Sequence, residues 1–325
     1  MNHTSPSAPP RRASRPRTWT RGPVLTALAL LLGLFLLLHS WIPDRPGGLG
    51  SLVETFLPWF GLFVPVLLAG ALWRRSAPAV IALLLPALVW LNLFGGLLGD
   101  RSRATGAEEG LTVVSHNVDA DNSDPAATAR ELAASGADIL ALQELTEQAR
   151  AGYEQELASG YPYHEVRGTV GLWSRLPLSD TETVDIGMLP ARALRTTVAT
   201  DRGPLALYVA HLGSVRVVPG SGFRTGTRDV GARALGEAVT AEGIERVVLL
   251  GDLNGTMDDR AFGALTEQLD SAQEQAGAGF GFSWPARFPV VRPDQILVRG
   301  VETSSAWVLP ATASDHRPVA AHVVW

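Results

Sequence analysis

The sequence predicts three transmembrane helices at the N-terminus followed by a single α/β domain. Three observations predict this. Three long runs without a charged residue fill residues 23–99. The charge then reverses: residues 1–100 hold eight arginines and three acids, residues 101–325 nineteen and twenty-nine, so a +5 segment precedes a −10 one. Short β-branched runs alternate with helical patterns from residue 111 onward, as a layered α/β domain requires. Composition also excludes chemistry. The 325 residues contain no cysteine, which rules out disulfides, thiolate nucleophiles and thiolate zinc sites. All 27 basic residues are arginine, so neither a lysine Schiff base nor a P-loop lysine is available.

In chain order, residues 1–22 form an arginine-, serine- and proline-rich tail with the composition of a disordered segment. The first apolar run, Pro23 to Trp41, is roughly 28 Å long as a helix, enough for a bilayer core. A cleavable signal peptide is the plainer reading of a basic tail before an apolar run. This run exceeds the usual 7–15-residue apolar core of a signal, and two more follow, which favours a retained helix. The second run is Thr55 to Trp73 and the third Ser76 to Gly99. Pro58, Pro65 and Pro86 lie inside spans, which membrane helices tolerate. Trp41 and Trp73 stand at span ends, where an aromatic belt belongs. Five arginines precede the first span, and Arg74 and Arg75 occupy the loop between the second and third. The positive-inside rule puts both in the cytoplasm, and three crossings leave everything after Gly99 outside the cell. Residues 100–110 read as a polar linker, and residues 111–325 as the extracytoplasmic domain.

Within that domain, Leu111–Asn117, Asp138–Leu142, Val170–Ser174, Leu194–Thr200, Leu205–Leu212, Arg246–Leu250, Gln295–Val298 and Pro318–Val324 have strand patterns. Pro125–Ser135, Leu145–Ala158, Thr227–Thr240 and Met257–Leu269 have helical ones. The expected arrangement is two sheets, or one mixed sheet, with helices between the strands. Polar residues sit where apolar strands finish. Asn117 ends the first, Gln143 and Glu144 the second, and His211 a later one. Asp252 and Asn254 follow the RVVLLG run, Asp294 opens a late strand, and Asp315 and His316 precede the last. Each has a plainer explanation by itself. Asn117 and the Gly251–Gly255 stretch suit turns. Glu144 suits a helix N-terminus. His211 suits a half-buried, hydrogen-bonded histidine, and Asp315 a cap. Taken together, at the ends of strands of one domain, they are expected to converge on a single cleft. Oxygen-rich sets of this kind suit Mg²⁺ or Mn²⁺ better than zinc. No GxSxG elbow is present, which disfavours serine hydrolysis.

The series Asn117; Gln143-Glu144; Ser174-Arg175-Leu176-Pro177; His211-Leu212; Gly251-Asp252-Leu253-Asn254; Arg292-x-Asp294; Ser314-Asp315-His316-Arg317-Pro318 resembles the endonuclease/exonuclease/phosphatase superfamily over residues 110–325. That resemblance implies a four-layered α/β sandwich of DNase I-like type and a divalent-metal-dependent phosphoric ester or anhydride hydrolase using Mg²⁺ or Mn²⁺. It implies metal ligation by Asn117 and Glu144, with Asp315 a further acid of the metal region. His211 is expected to contact phosphate, and Asp252 and Asn254 to position water and phosphate. His316 is expected to act with Asp294 as its carboxylate partner. The Arg292-Pro293-Asp294-Gln295 stretch departs from the family, which has an apolar residue before the Asp and an aromatic or histidine after it. Pro293 is nevertheless compatible with a strand start. The tail, spans and outer domain together are similar to the VanJ-type membrane proteins of actinomycetes, linked with glycopeptide (teicoplanin) resistance. That similarity implies hydrolysis of a cell-wall lipid carrier such as undecaprenyl pyrophosphate.

Substrate class follows from charge and tether. A domain of net −10 disfavours a nucleic-acid partner, since phosphate contacts dominate nucleic-acid affinity. Arg224, Arg228 and Arg233 form a local cluster that reads as a solvated loop and helix. Three spans hold the cleft close to the outer leaflet, which favours a membrane lipid substrate. The alternatives are a membrane-tethered nuclease and a non-catalytic lipid- or drug-binding protein.

Overall fold

The computed structural model describes residues 22–44, 47–103 and 110–325. The expected tail, apart from Gly22, lies outside the described residues, as do residues 104–109 of the expected linker. The chain folds as two units. One takes residues up to Leu36 together with Phe60–Val89, and the other takes Leu37–Trp59 together with Trp90–Trp325.

The first unit is helical and apolar. Helix α1 (Pro23–Leu38) continues as a 3₁₀ turn to Trp41. After α2 (Leu49–Thr55), which belongs to the second unit, come a 3₁₀ segment Leu57–Leu62, α3 (Phe63–Trp73), α4 (Ala77–Ala82) and α5 (Leu84–Phe94). Among the described residues, two helices are long and apolar enough to cross a membrane, Pro23–Trp41 with 19 residues and Ala77–Leu97 with 21. The second expected span is not one straight helix. The chain bends by 66° between Leu49–Thr55 and Leu57–Trp73, and Thr55 ends α2 instead of opening a span. Pro58 removes the backbone donor that would carry α2 onward, so the entry to α3 tightens into 3₁₀ geometry. Helices of this unit approach closely at Gly33, where a Cβ would lie 2.6 Å from Leu85 Cγ.

The second unit holds the α/β domain. Its elements are β1 (Leu111–Asn117), α6 (Pro125–Ala134), β2 (Ile139–Gln143), α7 (Glu147–Leu157), β3 (Tyr163–Arg167), β4 (Val170–Ser174), β5 (Leu178–Thr183), β6 (Ala193–Thr200) and β7 (Gly203–His211). They continue with β8 (Arg216–Val218), β9 (Gly222–Arg224), α8 (Gly226–Thr240), β10 (Val247–Asp252), α9 (Gly263–Thr266), β11 (Asp270–Ser271), α10 (Ala272–Ala276), β12 (Asp294–Arg299), β13 (Glu302–Val308) and β14 (Val319–Val324). Two six-stranded sheets form, ordered β13-β14-β1-β2-β4-β3 and β11-β12-β10-β7-β6-β5.

Strand periodicity builds the layers. Val113, Ile139, Val209, Val248 and Leu250 point into the core between the sheets. Their neighbours Val114 and Leu140 turn outward to Ala129 and Leu132 of α6 and Tyr153 of α7. Val247 and Leu249 turn outward to Leu235 and Val239 of α8. Strands covered on both faces need uninterrupted apolar runs, which is why RVVLL has no polar alternation. The result is the α/β/β/α sandwich expected from the motifs.

The Met257–Leu269 helix does not form. A 3₁₀ turn Arg260–Phe262 and the four-residue α9 replace it, because Asp259 caps Ala261 N at 3.0 Å and Phe262 is driven into the core beneath α8. Strands β3, β5 and β13 have no counterpart among the expected ones, since polar edge strands lack the apolar signal, as LSDTET of β5 shows. Of the expected linker, Arg101 and Arg103 donate backbone hydrogen bonds to Gly277 and Ser304, so its first residues are pinned to the domain.

Candidate active site

Topology delivers the polar residues to one edge. β1 and β2 run parallel, as do β7 and β10, so Asn117, Gln143, His211 and Asp252 end their strands on the same side. β12 and β14 run antiparallel to β10 and β1, so the residues that precede or open them arrive there too. Register places Asp294 directly opposite Asp252. β12 begins at Asp294, so Pro293 stands before the strand and costs the ladder no donor.

Asn117 is the hub. Its Nδ2 donates to Glu144 Oε1 at 3.1 Å and to Asp252 Oδ2 at 2.9 Å, and its Oδ1 accepts from Asp119 N at 3.0 Å. The Ser314 hydroxyl donates to the Asn117 carbonyl at 2.7 Å and accepts from His316 N at 3.0 Å, which ties the end of β1 to the approach to β14. Glu144 adopts a left-handed backbone with φ +60, and Asn254 does so with φ +52. Such conformations are costly for a glutamate and persist where the surroundings over-determine them, often at functional sites. Glu144 Oε2 also accepts from Ala120 N at 3.0 Å.

The two histidines have opposite electrostatics. His211 Nε2 lies 3.6 Å from Glu144 Oε1 and 3.7 Å from Asp252 Oδ2, too far for hydrogen bonds, and neither ring nitrogen has a hydrogen-bond partner. Burial lowers its pKa, outweighing the nearby acids, so the ring is neutral. His316 Nδ1 meets Asp294 Oδ2 at 2.8 Å, and the Ser283 hydroxyl donates to the same oxygen at 2.6 Å. Burial would depress His316 as well, but Asp294 and Asp252 outweigh it and push the imidazole up to about 10. His316 Nε2 faces Asp252 Oδ2 at 3.8 Å. Burial would raise Asp252, yet the charge of His316 and the donors from Asn117 and Asn254 bring its carboxyl down. Asn254 N donates to Asp252 Oδ1 at 2.9 Å, and Asn254 Nδ2 to Leu212 O at 3.0 Å.

Asp315 sits apart. Its side chain is 57% exposed, its Oδ2 accepts from Trp284 Nε1 at 3.0 Å, and its Oδ1 is 3.9 Å from His316 Nε2. It stands on the rim by His316, whereas Asn117 and Glu144 bond to each other in the cleft. The donors present fit a hard divalent ion. Glu144 offers carboxylate oxygens beside Asp252, the Asn117 amide turns its Nδ2 to both acids and its Oδ1 to Asp119 N, and a buried unpartnered His211 nitrogen faces the same space. Asp252, Asp294 and His316 also bring donor atoms within 4.8 Å of one another. In that group His316 Nδ1 and Asp294 Oδ2 already bond to each other, which makes them an ion pair. Sequence reasoning misses Ser283, which no motif marks, and misreads Arg228. Instead of lying on a solvated face, Arg228 is 1% exposed and pairs with Asp259 at 2.8 Å and Asp229 at 2.7 Å.

Residues 114–316, more than half of the chain, match the Endonuclease/Exonuclease/phosphatase family. No curated protein matches the chain in sequence. Solved structures resemble it in fold. D. rerio TDP2 complexed with single strand DNA product is 21% identical with a TM-score of 0.56, over 66% of this chain and 99% of that one. Beta toxin from Staphylococcus aureus, in a mutant form with bound magnesium ions, is 16% identical with a TM-score of 0.53 over the same shares, 66% and 99%. Sphingomyelinase C from Streptomyces griseocarneus is 21% identical with a TM-score of 0.51, again over 66% and 99%. The chain belongs to the Endonuclease/Exonuclease/phosphatase family, and its α/β domain is of the phosphoesterase type.

Proposed function

We propose that the protein is a membrane-anchored, divalent-metal-dependent phosphoesterase that acts outside the cell on a lipid-linked phosphate or pyrophosphate, such as undecaprenyl pyrophosphate, and so contributes to glycopeptide (teicoplanin) resistance. The observation that carries this reading is the make-up of the second unit. Residues 37–59, which hold the connection between the first two apolar stretches together with the end of the one and the start of the other, fold with the α/β domain. The chain thus enters this unit from apolar helix at Leu37, leaves it at Trp59 and enters it again at Trp90. That path supports three crossings, with the bent Leu57–Trp73 stretch as the middle one, and the arginine pattern supports the outside location.

In the proposed reaction water attacks phosphorus in line, the bond to the leaving oxygen breaks, and inorganic phosphate or a phosphorylated head group parts from a lipid monophosphate or from a lipid alcohol whose oxygen takes a proton from water. Asp252, aimed by Asn117 and Asn254 N, takes the proton of the attacking water. The His316 cation, held by Asp294, balances charge on the phosphoryl oxygens. Neutral His211 donates one hydrogen bond to a phosphoryl oxygen. Glu144, with the Asn117 amide turned to present its oxygen, would hold a divalent ion, which would supply Lewis-acid neutralisation of phosphoryl charge.

The test is phosphate release by the full-length protein in detergent with Mg²⁺, across isoprenoid and glycerolipid phosphates, with supercoiled plasmid DNA in parallel. The expected outcome is lipid turnover with intact plasmid, and loss of at least ~10³-fold in His316→Ala. Rapid plasmid cutting without lipid turnover would replace this reading with a tethered nuclease.

A further inference from the structure

We infer that α2 and Phe56, which precede the family-matched residues, form the apolar wall that receives the hydrocarbon chain of the substrate, with Leu52 and Phe56 determining specificity. The inference deepens the lipid-phosphate reading and rests on it. A cavity of about 430 Å³ is lined by Glu144, Asp252, Asn254 and His316 together with Leu52, Thr55 and Phe56. The same cavity is bordered by Val217 and Trp284. Phe56 is 36% exposed, Val217 76% and Trp284 38%, so large apolar groups stand in solvent beside a cluster of acids and imidazoles. A phosphoryl group gains nothing from such neighbours, whereas carbon next to the phosphate gains about 0.8 kcal/mol for each methylene removed from water. The volume is that of a small-molecule site, so it takes the phosphate and the first carbons of a longer chain.

The wall is built rather than draped. The Ser51 hydroxyl donates to buried Asp259 and accepts from Arg228 Nη2 at 2.9 Å. Glu54, 1% exposed, accepts from Arg260 Nη2 at 2.6 Å and Nε at 3.0 Å. Phe223 N donates to Gly47 O at 2.8 Å, which joins β9 to the start of the segment. Arg228 Nη1 also reaches the Asn254 carbonyl at 3.4 Å, so one buried cation braces both the apolar wall and the turn that carries Asp252 and Asn254. In sequence the segment lies between the apolar stretches Pro23–Trp41 and Leu57–Trp73, so on the proposed reading the molecules it meets are membrane lipids.

The experiment measures kcat/KM of the full-length protein in detergent micelles with Mg²⁺, using methyl pyrophosphate, which has no chain to meet the wall, and a long-chain polyprenyl pyrophosphate. Wild-type protein is expected to prefer the long chain. Leu52→Ala and Phe56→Ala are each expected to cut the long-to-short preference by ~10-fold or more, and Phe56→Leu to restore most of it. Equal losses on both substrates, or an unchanged preference, would overturn the inference while leaving lipid phosphatase activity intact. Absence of lipid turnover in the wild type would remove the reading beneath it and the inference together. A second measurement does not depend on how the variants fold. A hydrolysis-resistant polyprenyl phosphonate with a photoreactive group on its first isoprene unit should label residues 49–56 of the wild-type protein, and labelling confined to other segments would count against the wall.

Discussion

Asp294 Oδ2 takes hydrogen bonds from Ser283 and His316, and through His316 it governs the charge facing Asp252. The consequence for pH has a definite sign. The folded imidazole titrates at about 10 against an ordinary value of 6.5, so its contribution to stability is fully present below 6.5 and is lost as pH rises through 10. Asp294→Asn removes the carboxylate that raises the pKa. The unfolding midpoint of chelator-treated wild-type protein should fall between pH 6.5 and 10, and the fall should be shallower in Asp294→Asn. The same variant should lose ~10²–10³-fold in kcat with little change in KM, because Asp294 reaches substrate only through His316. A pH–stability curve identical to wild type would remove Asp294 from this role. Much of the site is legible residue by residue. Asn117, Glu144, His211, Asp252, Asn254, Asp294 and His316 each stand at or beside a strand end, and polar residues closing apolar runs are visible without coordinates. Ser283 is not legible, since a serine in a loop carries no pattern until Asp294 is seen next to it.

At the scale of elements, α2 depends on polar contacts from Ser51 and Glu54 to the turn that replaces the expected Met257–Leu269 helix. That turn forms because Asp259 is needed in three places at once. It caps Ala261 N, pairs with Arg228 and accepts from Ser51. Local helix preference loses to buried charges that must be satisfied. Arg260→Ala would leave Glu54 buried without its partner, at a cost of about 3 kcal/mol. Glu54→Gln should cost less, since the Arg260 side chain is 33% exposed and can be hydrated. Hydrogen exchange of amides 49–55 is the appropriate readout. Arg260→Ala should speed it by ~100-fold, with the core amides of β1 and β10 unchanged. If protection at 49–55 stays as in wild type, α2 is held by something other than this pair. The edge strands β3, β5 and β13 are hidden in the sequence for a related reason: their residues answer to a neighbour on one side and to solvent on the other, and no apolar period results.

For the molecule as a whole, the absence of cysteine makes sidedness directly measurable. A single cysteine at Asp201, exposed in the α/β domain, should react with a membrane-impermeant maleimide in intact cells. One at Ser14, in the arginine-rich tail, should react only after lysis. The reverse pattern would place the cleft in the cytoplasm and end the proposed access to outer-leaflet lipids. Family membership and the layered fold were readable from the order of short motifs alone, because each motif residue stands at or beside the end of a strand and strand ends of one sheet must share an edge. The 66° bend between Leu49–Thr55 and Leu57–Trp73, the buried state of Arg228 and the polar anchoring of α2 were not. They arise where segments as distant as Ser51 and Arg228, 177 positions apart, are brought into contact, and no local spacing encodes which distant charge a buried group will meet.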